Sequence, residues 1–405
     1  MLYNAYELQR NWLAGVSTLA NIGAELMSNP RNPLAYFGGG EVLSSALEVF
    51  AHASAPRGKP AFGLTETIVD GESVTVHEEI VLRQPFGQLK RFVKAGVEGA
   101  PKLLIVAPMS GHYATLLRGT VERMLPKHDV YITDWRDARS VPLSDGRFDL
   151  DDYIDYVIQF VRHIGPGTHL LAVCQPSVPV YAAVALMNAA NDPCTPKTLT
   201  MMGGPIDTRA APTAVNTLAT ERPLSWFSSN VVTTVPYSYP GAGRKVYPGF
   251  MQLAGFMTMN LGNHLMSHYE MYKHLVQGED LQAEATKKFY DEYRSVCDMT
   301  AEFYLQTVEI VFQKHSLPKG EMMHRDMRVD PGAITKTALL AIEGENDDIS
   351  GLGQTKAALD IATNLADDHK RYFMAPKVGH YGIFNGSKWR DTIAPIVEDW
   401  ISAHN

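Results

Sequence analysis

The sequence predicts an α/β chain: a mostly parallel sheet flanked by helices, with a helical cap rich in methionine and aromatics inserted before the last two strands. Three observations carry this expectation. Between residues 102 and 205 short apolar runs alternate with helix-like stretches. The alternation stops from Thr208 to Pro331, and it resumes from residue 332 to the end. Strands that are apolar on both faces belong in a parallel sheet covered by helices.

Taken in order, residues 1 to about 60 look helical and close with the loop "HASAPRGKPAFG". "TETIVDGESVTVHEEIVLRQPFGQLKRFV" alternates in polarity and turns at Asp70-Gly71, the signature of an antiparallel hairpin. Then come "KLLIVAP" (strand), "YATLLRGTVERMLP" (helix), "HDVYITDW" (strand), "LDDYIDYVIQFVRHIG" (helix), "THLLAVCQ" (strand), "PSVPVYAAVALMNAA" (helix) and "KTLTMMGGP" (strand). After the cap, "KTALLAIEGENDDIS", a helix, "KRYFMAPKVGHYGIFNG" and a final helix complete the core. The expected division is residues 1–207 for the N-terminal helices and the first part of the core, 208–331 for the cap, and 332–405 for the rest of the core. No internal repeat or low-complexity tail interrupts it.

Composition narrows the function. The formal net charge is −8 and Lys and Arg are scattered, which argues against a nucleic-acid partner, because phosphate binding needs a concentrated basic face. No run approaches the roughly 18 apolar residues of a membrane span, and the N-terminal stretch does not read as a signal peptide. The three cysteines, Cys174, Cys194 and Cys297, form no C-x-x-C pair and are odd in number. A disulfide framework or metal site is therefore not expected, and a reducing cytoplasm fits best. "GGPID" is too short and wrongly spaced for a phosphate loop, so no cofactor is expected.

Chemistry in an open parallel sheet collects beyond the carboxyl ends of the strands, and three such ends carry candidates. Cys174 sits where "THLLAV" turns into a helix. A nucleophile on a sharp strand-helix turn is exposed, and the free N–H groups and positive dipole end of the helix favour a thiolate. Ala172-Val173-Cys174-Gln175-Pro176 departs from the usual G-x-S-x-G elbow, although small Ala172 fits the turn and a proline is tolerated where the helix needs no donor. The competing reading is a buried structural cysteine. "LLAIEGENDDIS" ends in an acidic loop with Glu343, Glu345, Asp347 and Asp348. Most of these are expected to be solvated, with Asp347 the candidate for orienting a histidine. "GHYG" places His380 in a loop before the last helix. Nucleophile, acid, histidine, in that order on late strands, is the α/β-hydrolase order.

The roles follow. His380 takes or holds the Cys174 proton and later activates water, while Asp347 fixes the imidazole tautomer. An oxyanion needs two N–H donors, for which Gln175, next to the nucleophile, and Met109, after "KLLIVAP", are the candidates. His112 lies in the same loop, where lining the mouth and a structural role are both open.

With these residues in place, "APMSGHYATLLRGTVERMLPKHDVYITDWRDARSVPL", "LLAVCQPSVPVYAA", "MMGGPIDTR" and "GHYGIFNG" together resemble the intracellular poly(3-hydroxybutyrate) depolymerases over nearly the whole chain. The resemblance implies an α/β-hydrolase with a Cys-Asp-His triad that acts on amorphous polyester granules in the bacterial cytoplasm. It maps the nucleophile, acid and base onto Cys174, Asp347 and His380. A polyester also makes sense of the cap, since Met and aromatics supply an adaptable apolar surface. The stripe "FMQLAGFMTMNLGNHLM" is a plausible contact, with helix core as the alternative, and Trp226, Phe227, Tyr237 and Tyr239 are expected near the mouth. Asp207 and Arg209 are candidate anchors for the cap, and an exposed apolar cap could pair with a second copy as a homodimer.

Three rivals share parts of this pattern. Polyester synthases resemble it in core and triad, but their elbow carries glycine where this chain has Pro176, which favours hydrolysis. A non-catalytic granule-coat protein would explain the cap but not the ordered triad. A small-ester hydrolase would leave the long cap unexplained.

Overall fold

The computed structural model describes residues 2–29, 40–259, 261–277 and 279–405. Strands β1 (Glu66–Val69), β2 (Glu72–Arg83) and β3 (Gly87–Lys94) form an antiparallel meander. Its first turn is the expected one. Val69 pairs with Glu72, and Asp70 (φ 52°) and Gly71 (φ 88°) both take the left-handed conformation that a two-residue hairpin demands. The third strand extends the hairpin into a ribbon that pairs antiparallel with β5 (Asp129–Trp135), and there it joins the main sheet.

The parallel sheet runs β5–β4–β6–β7–β13–β14, with β4 at Lys102–Val106, β6 at Thr168–Val173, β7 at Thr198–Met202, β13 at Ala338–Gly344 and β14 at Lys370–Ala375. Every residue of β6, β7 and β13 is buried, so both faces of the sheet are covered, as their continuous apolar runs require. Helix α3 (Arg118–Met124) lies between β4 and β5, and helix α4 (Leu150–Ile164) is capped by Asp149, which exchanges hydrogen bonds with Asp152, the backbone N–H of each donating to the carboxylate of the other. It packs against α5 (Ser177–Ala189), whose residues are almost all buried. Chain order reverses between β4 and β6: the chain leaves β4 for β5 on one side and returns to β6 on the other. A reversal of this kind opens a crevice at the strand ends.

Between β7 and β13 lies the segment expected to form the cap. The helical expectation holds for α6 (Ala214–Glu221), α7 (Leu224–Asn230), α8 (Gly249–Met259), α9 (Leu261–Val276), α10 (Asp280–Tyr293) and α11 (Ala301–Thr307). The cap is not purely helical, however. Strands β8 (Thr233–Thr234), β9 (Lys245–Tyr247) and β10 (Met299–Thr300) form a small antiparallel sheet, and β11 (Met323–His324) pairs with β12 (Met327–Arg328). Two- and three-residue strands leave no periodicity to read, which is why the sequence hides them. Residues 30–39, within the stretch expected to be helical, and Asn260, within the methionine stripe, lie outside the described residues. Among the described residues, no helix is long and apolar enough to cross a membrane.

Helices α1 (Leu2–Ser28) and α2 (Gly40–Ser54) pack on each other, and α2 packs on α9. A buried polar node ties them to cap and core. The Tyr3 hydroxyl donates to Asp298 Oδ2 at 2.5 Å, and the Gly249 N–H donates to Asp298 Oδ1 at 2.9 Å. The Asp298 N–H donates to Asp137 Oδ1 at 3.2 Å, and Arg139 Nε pairs with Asp137 Oδ2 at 2.8 Å. Thus the first helix, the loop after β5 and the base of the cap meet at two carboxylates. The Asp207 and Arg209 side chains pair with each other at 2.8 Å, while the Asp207 N–H reaches across the fold to donate to Gln354 O at 3.1 Å.

Burial, and then the charge of Asp137, push the Asp298 carboxyl up to about 7. A carboxyl raised on folding binds its proton more tightly in the folded chain. Its contribution to stability is therefore whole below about pH 4 and is lost as pH rises through about 7. The melting temperature should accordingly fall between about pH 4 and pH 7, and Asp298→Asn, which keeps an acceptor but cannot ionise, should flatten that slope. An unchanged slope in calorimetry would assign the pH dependence to other groups.

Candidate active site

Cys174 lies one residue beyond β6, with φ 67°, a left-handed conformation that non-glycine residues seldom adopt. Two backbone bonds hold it there: its N–H donates to Met202 O at 2.8 Å, and its carbonyl accepts from Ser177 N–H at 3.0 Å. Pro176 caps α5 without needing a donor of its own. The turn thereby lifts a half-buried thiol above the sheet.

Clearance for this turn comes from the two glycines after β7. A Cβ on Gly204 would meet Ser177 Oγ at 2.0 Å and Ser177 Cβ at 2.2 Å. One on Gly203 (φ 60°) would stand 3.2 Å from both Asp347 Oδ2 and His380 Cε1. The "GG" in "MMGGP" is therefore space reserved for the elbow and its neighbours.

Asp347 follows β13. Its Oδ1 accepts from the N–H groups of Ile349 (2.9 Å) and Ser350 (2.8 Å), which leaves Oδ2 to meet His380 Nδ1 at 2.8 Å. His380, buried after β14, also hydrogen-bonds Cys174. Burial lowers the basicity of its ring. The Cys174 and Asp347 charges, with a hydrogen bond to each, raise it, and the balance lies well above the ordinary imidazole value. The ring is thus held between an acid and a thiol, in the geometry of a nucleophile–base–orienter set.

The acidic loop corrects one expectation. Glu343 is not solvated: it is 1% exposed, and its carboxylate accepts from Thr355, Lys356 and Gly353 N–H groups and from the Tyr372 hydroxyl, at 2.7–2.9 Å. It folds the segment after Asp347 back onto the sheet. Glu345 accepts from Lys377 N–H at 2.7 Å, tying the acid loop to the histidine loop.

At the crevice between β4 and β6, the Met109 N–H faces Gln175 and donates to its Oε1 at 3.2 Å. His112 is buried. Its Nε2 meets the Tyr293 carbonyl at 2.9 Å, and burial pushes it down to about 4, against that hydrogen bond, so it is neutral at neutral pH. Around it, Cys297 N–H donates to Gly111 O at 2.7 Å and the Cys297 thiol reaches His112 O at 3.6 Å. This loop is therefore stitched to the cap by backbone bonds.

Cys174, His380, Met109, Gln175 and His112 open onto a cavity of about 720 Å³. Phe227 lines it, but Trp226, Tyr237 and Tyr239 do not. Tyr237 is 98% exposed; Tyr239 packs on Tyr3 and under Arg139; Trp226 stacks beside Arg222. From the methionine stripe, Gln252, Ala254, Gly255 and Thr258 line the cavity, whereas Met266 is exposed. The aromatic wall comes instead from Tyr247 and from Phe303, Tyr304 and Phe312 on α11 and the wide turn after it. Their helical spacing in "TAEFYLQTVEIVFQ" was the available signal. Tyr381, beside His380, completes the wall. Among the described residues, no group of three or more His, Cys, Asp and Glu could hold a metal ion.

Six parallel strands, a strained elbow after the third in chain order, and an acid and a histidine after the last two define an α/β-hydrolase. The family model described as PHB de-polymerase C-terminus matches residues 203–405, half of the chain. The chain belongs to the polyhydroxybutyrate depolymerase family, and it is an ester hydrolase. The match spans Asp347 and His380 but not Cys174. Among solved structures, the chain is similar to lip1 from Acinetobacter baumannii AYE at 13% identity and TM-score 0.44, over 82% of this chain and 93% of that one. It is similar also to a monoacylglycerol lipase from Paleococcus ferrophilus, at 11% identity and TM-score 0.43, over 82% and 99%. No protein of curated function matches the chain in sequence.

The clearance argument is testable. Gly204→Ala should cost roughly 3 kcal/mol, the upper end of overpacking penalties, because the obstructing atoms include Ser177 Cβ at 2.2 Å. Ser177→Gly in the same chain should recover much of that loss in thermal unfolding. Equal melting temperatures for Gly204→Ala and wild type would refute the account.

Proposed function

We propose that the chain hydrolyses amorphous poly(3-hydroxybutyrate) through a Cys174–His380–Asp347 triad and an acyl-thioester intermediate. The observation that carries this reading is the His380 ring held between Asp347 and the Cys174 thiol at the floor of an apolar cavity. The family match supports the polyester as substrate.

An imidazolium stabilised by Asp347 pairs with a Cys174 thiolate, which attacks the ester carbonyl carbon. The carbonyl oxygen takes the negative charge against the N–H groups of Gln175 and Met109. Collapse breaks the bond to the 3-hydroxyl oxygen of the next repeat unit, which leaves as an alcohol with the proton from His380. Neutral His380 then takes a proton from water, the hydroxide attacks the thioester, and the free acid departs as the thiol regains its proton pair with His380. Neutral His112 and the apolar wall keep competing charge away from the oxyanion.

In this reading residues 208–331 act as a cap whose aromatic wall guides a polyester segment to the thiol. The place of action is the surface of storage granules in the cytoplasm, and products are 3-hydroxybutyrate and its short oligomers. Release of 3-hydroxybutyrate from native amorphous granules should fall by roughly 10⁴-fold or more in Cys174→Ala, and comparably in Asp347→Asn, as when members of a catalytic unit are removed singly. Polymer growth from a hydroxyacyl-CoA feed would instead identify a synthase. Wild-type turnover in Cys174→Ala would remove the thiol from the mechanism.

A further inference from the structure

Gln175 is asymmetric in its surroundings. Its Oε1 accepts the Met109 N–H at 3.2 Å, while its Nε2 is shut off from solvent and has no hydrogen-bond partner among the described residues. Of the two carboxamide ends only the oxygen can accept from a backbone N–H, so the amide orientation is set by Met109. Met109 N–H is one of the two donors assigned to the oxyanion. In the resting chain it therefore already holds a carbonyl oxygen, and that oxygen belongs to the protein.

We propose that the Gln175 carboxamide caps the oxyanion site of the free enzyme and must be displaced by the carbonyl oxygen of the ester. The proposal rests on the thiol-triad reading above. An empty oxyanion hole in an apolar cavity would leave a backbone N–H unpaired, which folded chains avoid. Gln175 satisfies that N–H from the adjacent position without occupying the thiol. The cap is also held lightly. One hydrogen bond at the long end of the normal range retains it, and Nε2 gives up no partner on leaving. Gln175 and Met109 both line the 720 Å³ cavity, which gives the side chain room to swing. A developing oxyanion is a stronger acceptor than an amide oxygen and wins the exchange. A ground-state ester carbonyl competes on nearly equal terms, so the cap weakens ground-state binding.

Gln175→Met keeps the length of the side chain and removes the acceptor; Gln175→Ala removes both. In both variants KM for a soluble 3-hydroxybutyrate ester should fall by about 3- to 10-fold, the worth of one neutral hydrogen bond. An aldehyde analogue, which adds the thiol across its C=O to give a tetrahedral thiohemiacetal, should bind tighter by a similar factor. The matching alcohol, which forms no such adduct, should not. Thermal unfolding of each variant checks that the elbow is intact. A fall in kcat with KM and aldehyde affinity unchanged would overturn the proposal, since the carboxamide would then be helping the oxyanion or only ordering the turn. The underlying reading fails separately: if the advantage of aldehyde over alcohol survives in Cys174→Ala, the thiol is not the nucleophile, whatever Gln175 does.

Discussion

The left-handed backbone at Cys174 is the constraint on which the rest of the structure turns. A cysteine at φ 67° is strained, and such strain persists only where surrounding structure over-determines it. Here β7 supplies the carbonyl that receives its N–H, α5 supplies the N–H that its own carbonyl needs, and the glycine pair after β7 leaves the room. The acid and histidine loops are built against that same pair, since Asp347 and His380 both stand 3.2 Å from where a Cβ on Gly203 would sit. Placing one thiol thus fixes how closely three loops can approach.

Much of this was readable from the chain. Short, mostly apolar runs such as "LLAI" and "LTMM", alternating with helix-like stretches, read as central strands, and the order of cysteine, acid and histidine after them follows from topology. The Asp70-Gly71 turn was legible because two consecutive positive φ angles admit few residues. What could not be read depends on partners distant in sequence. Glu343 looks like a loop acid until four donors, the nearest ten residues away, close around it. Tyr239 looks like a cavity aromatic until Tyr3, from the first helix, takes its ring. Aromatic count in the cap indicated the character of the cavity wall, but not which rings form it.

The cap is fastened at more than one place. Near its N-terminal attachment, Gln354 Nε2 donates to Ala210 O at 3.0 Å and to Asn216 Oδ1 at 2.8 Å, and Thr213 Oγ1 donates to Ile349 O at 3.0 Å, so the segment after the acid loop holds it. At the other side, the Tyr3–Asp298–Asp137–Arg139 node and the backbone pairing of Gly111 and His112 with Val296 and Cys297 bind it to the first helix and to the oxyanion loop. The path from this node to the loop carrying Met109 is short: Asp298 follows Cys297, whose N–H donates to Gly111 O, two residues beyond Met109. The buried carboxylates therefore sit close, in space, to the oxyanion loop.

The strand order has a consequence for dissecting the molecule. Because β13 is inserted beside β7, a cut at residue 203, where the family match begins, passes through the middle of the sheet rather than between domains. The two halves would each expose a central edge, β7 on one and β13 on the other, with a full row of unsatisfied backbone groups. The downstream piece would own the acid and the histidine, and the upstream piece the thiol. Neither is an autonomous unit; mixed together, they would be complementary edges, a fragment pair whose reassembly can be followed by the return of a site that neither half contains.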